Sequence, residues 1–219
     1  YESGLGIFLS QLFIQGPPII MASLIEPKAL SEYLIYLRLI QVVCQLSSVF
    51  IYQALPQINI YEQRKEYDMQ IRLIKSNLLK TTSSFFLFGF LIYIIAPYVF
   101  ILLSNDYELN AEIFLLMIVM FSLERHVAII NQLEAVKKFI NWIFTYSIAI
   151  ASFTTCFFLL WLSENGNMVM NIIIASIISY ALTLIVIKMP KIIKIYKNSY
   201  SILMISPLLA LLLIIYIVL

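Results

Sequence analysis

The sequence predicts an all-α integral membrane protein that crosses a bilayer about seven times. Three observations carry this. First, of 219 residues 62% are hydrophobic and only 12% charged, about half the charged share of a soluble domain. Second, six uncharged stretches reach the roughly 20 residues that a spanning helix needs: residues 3–25, 39–61, 81–105, 139–163, 165–187 and 198–219. A seventh, 113–133, is interrupted only by Glu124, Arg125 and His126. Third, these stretches are too long for barrel strands and do not alternate, and lipid leaves a backbone only its own hydrogen bonds. The expected spans are about 5–25, 33–58, 81–103, 112–133, 141–162 and 168–187, forming a bundle over residues 1–197, with an additional helix at 198–219.

The connections orient the spans. Basic residues of short loops stay on the cytoplasmic side. The connection at 59–80 holds Arg64, Lys65, Arg72, Lys75 and Lys80, and that at 104–112 holds only acids. Lys137 and Lys138 follow, then Glu164 alone, then Lys188, Lys191, Lys194 and Lys197. Eleven of the fourteen Lys and Arg residues therefore fall on one face. Residue 1 is expected in the cytoplasm and residue 219 outside. The start at Tyr1 rather than methionine, and the odd number of spans, predict a piece of a longer protein. The net charge of +2 points to no nucleic-acid partner.

Each span has its own signature. The first carries Gln11 and Gln15 one turn apart, then Gly16-Pro17-Pro18. Two prolines remove donors and crowd the preceding turn, so a kink or break is expected there. Such a break either lines a transport path or is inert. The second carries Arg38, Gln41, Gln45, Ser48 and Tyr52 at alternating spacings of three and four, on one helical stripe. A polar stripe must face protein or water rather than lipid, so it either walls a hydrophilic cavity or bonds to neighbouring helices. Residues 61–76 predict a short helix lying on the inner membrane surface or a plain solvated loop. The fourth span holds Glu124-Arg125-His126. Neighbours in sequence do not face each other on a helix, so each charge is expected to seek a partner elsewhere. Glu124 is a candidate for ion coupling and Arg125 for binding an anion, against a purely structural role. His126 reads as packing. Trp142 and Trp161 bracket the fifth span, roughly 28 Å apart, as two interfacial belts. Ser176, Ser179, Tyr180 and Thr183 make a weaker stripe in the sixth that reads as packing. Cys44 and Cys156 read as small buried hydrophobes. No metal, nucleotide or nucleophile motif occurs and no cofactor is expected.

The run Tyr33-Leu34-Ile35-Tyr36-Leu37-Arg38-Leu39-Ile40-Gln41, followed by Ala54-Leu55-Pro56 and a basic loop, resembles the second half of Wzx-type polysaccharide flippases. These belong to the multidrug/oligosaccharidyl-lipid/polysaccharide (MOP) exporter superfamily. Leu123-Glu124-Arg125-His126 with Gln132-Leu133 is similar to a stretch of bacterial polysaccharide-biosynthesis membrane proteins of that group. The resemblance implies the C-terminal six-helix bundle of a transporter of the bacterial inner membrane, together with an N-terminal half not in this chain. It also implies export of undecaprenyl-pyrophosphate-linked sugar units for O-antigen or capsule, alongside a polysaccharide polymerase. Arg38 and Arg125 would then meet the pyrophosphate, and Gln11, Gln15, Gln41, Gln45, Ser48 and Tyr52 would line the cavity. The chain departs from that pattern by lacking the N-terminal bundle and by carrying a seventh span. The alternatives are a cation- or proton-coupled multidrug exporter working through Glu124, and a membrane-embedded glycan polymerase or acyltransferase. The outer connections, under ten residues, leave an enzyme little room.

Overall fold

The computed structural model describes residues 2–103, 110–137, 142–162, 167–188 and 190. The chain runs through α1 (Glu2–Leu24), α2 (Pro27–Arg64), α3 (Tyr67–Leu103), α4 (Ala111–Val136), α5 (Trp142–Leu162) and α6 (Met168–Leu182). A π-helical segment, Thr183–Lys188, continues α6. Six helices among the described residues are long and apolar enough to cross a membrane, the sixth including this segment. The chain is thus an all-α protein of membrane-spanning helices. The expected span at 198–219 lies outside the described residues.

Local chemistry sets the helix ends. Pro27 opens α2 behind an extended Glu26, where a missing N–H costs nothing. Asn110 caps α4 by accepting from Ile113 N at 3.1 Å, and Asn167 caps α6 by accepting from Val169 N at 2.9 Å. α2 ends at Lys65, which adopts a left-handed conformation with φ 60°. The Glu66 N–H donates to Tyr61 O and the Lys65 N–H to Glu62 O, the paired bonds that close a helix over a left-handed residue.

That turn joins two very long helices. α2 has 38 residues and α3 has 37, roughly 56 Å each at 1.5 Å per residue. The hydrocarbon layer is only about 30 Å thick, so the antiparallel hairpin projects beyond it. This corrects the expectation of a separate surface helix or a loop over 61–76: α2 runs on to Arg64 and α3 begins at Tyr67. The reason is a continuous seam. Gln70, Ile74, Leu78, Thr81 and Phe85 are buried at spacings of three and four along α3, the row that faces α2. The Gln70 amide crosses the seam to Glu62 Oε2 at 2.9 Å and to Ile58 O at 3.3 Å. On the opposite face of α3, Leu87, Phe90, Ile94, Tyr98 and Leu102 are exposed, an apolar stripe suited to lipid.

α4 is the axis of the bundle. In its most apolar window 83% of residues are buried, with α2, α3 and α6 packed around it. α1 lies chiefly against α5 and touches α2 only sparsely. α1 is helical straight through Pro17 and Pro18, so the expected kink or break is not a break. Each proline withdraws its N–H from the ladder, and Pro17 packs inward beside Tyr33 and Tyr180. α5 and α6 join through hydroxyls, with Ser152 donating to Ser179 Oγ at 2.9 Å and Ser179 donating to Ala149 O at 2.5 Å. Cys44 is buried, Cys156 half-buried, and both are free thiols.

Glycine holds a left-handed backbone without the Cβ clash that Lys65 bears. Lys65→Gly is expected to stabilise the purified protein by up to about 1 kcal/mol, and Lys65→Val to destabilise it. Melting temperatures in one detergent check both directions, and a lower value for Lys65→Gly would show that the turn is not under this strain.

Candidate functional site: a polar cleft between α1, α2, α4 and α5

The end of the bundle that carries the α2–α3 turn, here the elbow end, also holds the starts of α1 and α5 and the end of α4. Gly6 meets Trp142 there, and Trp142 Nε1 donates to Asn131 O at 3.3 Å. In this half of the bundle α1 and α2 stand apart, and a cleft of about 200 Å³ opens between them. Its floor is α4, where Arg125, Ala128 and Gln132 follow one another at spacings of three and four and are only half-buried. Ser10, Gln11 and Ile14 come from α1 and Tyr52 from α2. Trp142 and Tyr146 of α5 close the far wall.

Glu124 and Arg125 form the charged centre. The guanidinium grips the carboxylate with two bonds, Nε to Oε2 at 2.5 Å and Nη2 to Oε1 at 2.7 Å. This corrects the expectation that sequence neighbours cannot pair. The long arginine side chain curls back along its own helix, because the surrounding low dielectric makes a bidentate pair far stronger than it is in water. The Glu124 side chain is 4% exposed and that of Arg125 22%. Two of the five guanidinium N–H groups are spent on Glu124, leaving others for the cleft.

Beside this pair stands a fixed polar wall. Asn131 Nδ2 donates to Tyr146 Oη at 3.3 Å, and the carbonyl of Asn131 takes the Trp142 indole N–H. A Cβ on Gly6 would come within 2.6 Å of Trp142 Cβ, so glycine is required for α1 to approach α5 this closely. Trp142, at the start of α5, is therefore turned toward the bundle and half-buried. Trp161 is half-exposed, with its ring against Phe157 and Phe158.

The α2 stripe is divided. Arg38, Gln45 and Tyr52 are exposed and Gln41 is half-buried, on a side of α2 that α3 and α4 leave open. Arg38 Nη1 donates to Gln41 Oε1 at 3.2 Å. Ser48 does not line this face: it is 2% exposed and donates back to Cys44 O at 2.6 Å, the local bond that a mid-helix serine commonly makes. Gln11 borders the cleft, whereas Gln15 is exposed one turn farther on and does not line it. Arg38 and Arg125 are not brought together. Tyr52 borders the cleft with Arg125, and Arg38 lies fourteen residues back along α2, roughly 21 Å away. His126 is buried and its Nδ1 lies 2.9 Å from Ser122 O.

Asn131, Gln132, Tyr146 and Ser10 were not singled out from sequence as site residues. Gln132 lies one turn from Ala128 and two from Arg125, a spacing that marks the same face. Two further ion pairs clamp the elbow end. Lys188 Nζ reaches Glu134 Oε2 at 2.7 Å with both side chains buried, and Lys137 Nζ lies 3.3 Å from Glu62. Lys188 was expected in a basic loop. The π-helical segment instead carries it into the bundle against α4. Among the described residues no cluster of His, Cys, Asp or Glu is arranged to hold a metal.

Compared with protein-family models, curated proteins and solved structures, the chain matches none.

Removing one member of a buried pair strands the other, at a cost of about 3–5 kcal/mol. Arg125→Ala is expected to destabilise the protein by about that much, and Glu124→Gln/Arg125→Ala to recover most of the loss. Thermal unfolding of the two variants checks this, and equal destabilisation would show that the pair is not coupled.

Proposed function

We propose that the chain is one bundle of a membrane transporter resembling the C-terminal half of Wzx-type flippases, carrying a lipid-linked sugar across the bacterial inner membrane. The carrying observation is the polar face built by α1, α2 and α4. Within helices otherwise suited to lipid, Arg38, Gln41, Gln45 and Tyr52 lie along one side of α2, and the cleft at Arg125 continues that side onto α4. Polar groups at membrane depth belong on water or on cargo. The two arginines stand at different depths, so the headgroup meets hydrogen-bonding polar groups at each of two levels on its way across. A facing N-terminal half would close this side into a central cavity, as the resemblance implies.

On this reading the elbow end is cytoplasmic, because Arg64, Lys65, Arg72 and Lys75 sit there and basic residues are retained inside. The cleft is then the inner station and Arg38 the outer one. The lipid tail stays in the bilayer while the headgroup follows the polar face. A polysaccharide polymerase on the outer side would consume the product.

A second reading, a proton- or cation-coupled drug exporter, has one observation in its favour: Glu124 is a buried acid that borders the cleft. A transporter with this use of Glu124 protects cells from toxic cations, and a flippase does not.

Arg38→Ala is expected to lower surface glycan at least tenfold while the protein still inserts in normal amount. Arg125→Gln, made together with Glu124→Gln so that no charge is stranded, is expected to do the same. Glycan staining against membrane abundance measures both. Normal glycan in both variants contradicts the flippase reading, and sensitivity to toxic cations with normal glycan favours the exporter.

A further inference from the structure

Building on that transport reading, we propose that the cleft holds one uncharged sugar ring of the cargo, and that the cargo's phosphates are bound elsewhere. Charge comes first. Glu124 and Arg125 are the ionisable acid and base that border the cleft, and they neutralise each other through two hydrogen bonds. A diphosphate brings at least two negative charges. Entering here, it would have to displace Glu124 from its guanidinium and leave that carboxylate stranded beside it, at membrane depth. A ring bearing only hydroxyl and amide groups leaves the pair intact and uses the N–H groups that Arg125 does not spend on Glu124.

The remaining polar atoms fit such a ring. Gln11, Asn131 and Gln132 are amides, each able to donate and accept at once, and Ser10 and Tyr52 add hydroxyls with the same double capacity. Sugar hydroxyls ask for that mixture, whereas phosphate oxygens only accept. Asn131 adds an unfilled demand. It is 3% exposed, and its Oδ1 has no hydrogen-bond partner among the described residues. A buried acceptor without a donor costs about 1–3 kcal/mol, a cost that favours a turn of the amide toward a hydroxyl donor in the cleft.

Size and shape limit the occupant to one ring. The cleft measures about 200 Å³, below the roughly 300–1,000 Å³ of sites for drug-sized ligands. Trp142 supplies an apolar surface for the C–H face of a pyranose. Its position is held by the Asn131 carbonyl on one side and by the close approach of Gly6 on the other. The rest of an oligosaccharide would lie along the open α2 face.

The chain has two tryptophans, so Trp161→Phe leaves Trp142 as the single fluorophore. The full chain, purified in detergent, is titrated with N-acetylglucosamine, galactose, glucuronate and inorganic pyrophosphate. A neutral sugar is expected to give a saturable change in Trp142 emission, at least tenfold weaker for glucuronate and pyrophosphate. Asn131→Leu is expected to weaken sugar binding at least tenfold. Gln11→Leu, on the exposed part of α1, is expected to weaken it without disturbing the bundle. Leu87→Ala, on the lipid-suited face of α3, is expected to leave the sugar titration unchanged. Saturation by pyrophosphate at lower concentration than by any sugar, or no response to any of the four, overturns the sugar site. Sugar binding together with normal surface glycan in Arg38→Ala leaves the site standing and removes the flippase reading instead.

Discussion

A carboxylate surrounded by hydrocarbon has no water to spread its charge, and neither does a guanidinium. Placed on adjacent positions of one helix, Glu124 and Arg125 have a shared solution: the arginine folds back and takes both carboxylate oxygens. That solution sets much else in the bundle. The pair sits on α4, so α4 must be shielded on most of its circumference, and among the described helices it is the most buried. The guanidinium stays partly open, so α1 and α2 must stand apart at that level, and the cleft is the gap they leave.

The same constraint acts at the elbow end. Glu134 in the last turn of α4 and Lys137 just beyond it pair outward in two directions, to Lys188 beyond α6 and to Glu62 on α2. Gln70 of α3 joins at Glu62. Three elements, α2, α3 and the continuation of α6, are thereby tied to the end of the central helix just below the cleft. Charged partners near a bilayer surface hold helix ends in register more selectively than apolar packing does, since a slipped register strands charges. The cleft is thus floored by the helix most firmly clamped at its end, and walled by α1, which is fixed mainly by its contact with α5.

Much of this was legible in the sequence because lipid imposes a length rule. The apolar runs near 5–25, 112–133, 141–162 and 168–187 each became a helix with nearly the same limits. What length does not encode is what happens beyond the bilayer. The polar stretch after Pro56 carries charges that read as a surface helix or a loop, yet Gln70, Ile74 and Leu78 continue a buried seam that is visible only once α2 lies beside it. The polar face of α2 was readable from its spacing, although Ser48 at the edge of that stripe turns inward. The pairing at Glu124 was not readable, because it depends on a side-chain path and not on helical phase. The inward turn of Trp142 and of Lys188 was unreadable for a related reason. A tryptophan at a helix start and a lysine at a helix end both have interfacial precedents, and only the neighbours Asn131 and Glu134 draw them inward.

The central claim is that the face built by α1, α2 and α4 is wetted within the membrane while the outer face of α3 meets lipid. Single cysteines at Gln11, Gln45 and Tyr52, and at Leu87 and Phe90, in a chain whose Cys44 and Cys156 are replaced by serine, distinguish the two faces. A charged, water-borne thiol reagent applied to membrane vesicles is predicted to label the first three and to leave the last two unmodified. Labelling of Leu87 and Phe90 as fast as of Gln45 and Tyr52, or protection of all five, would contradict it.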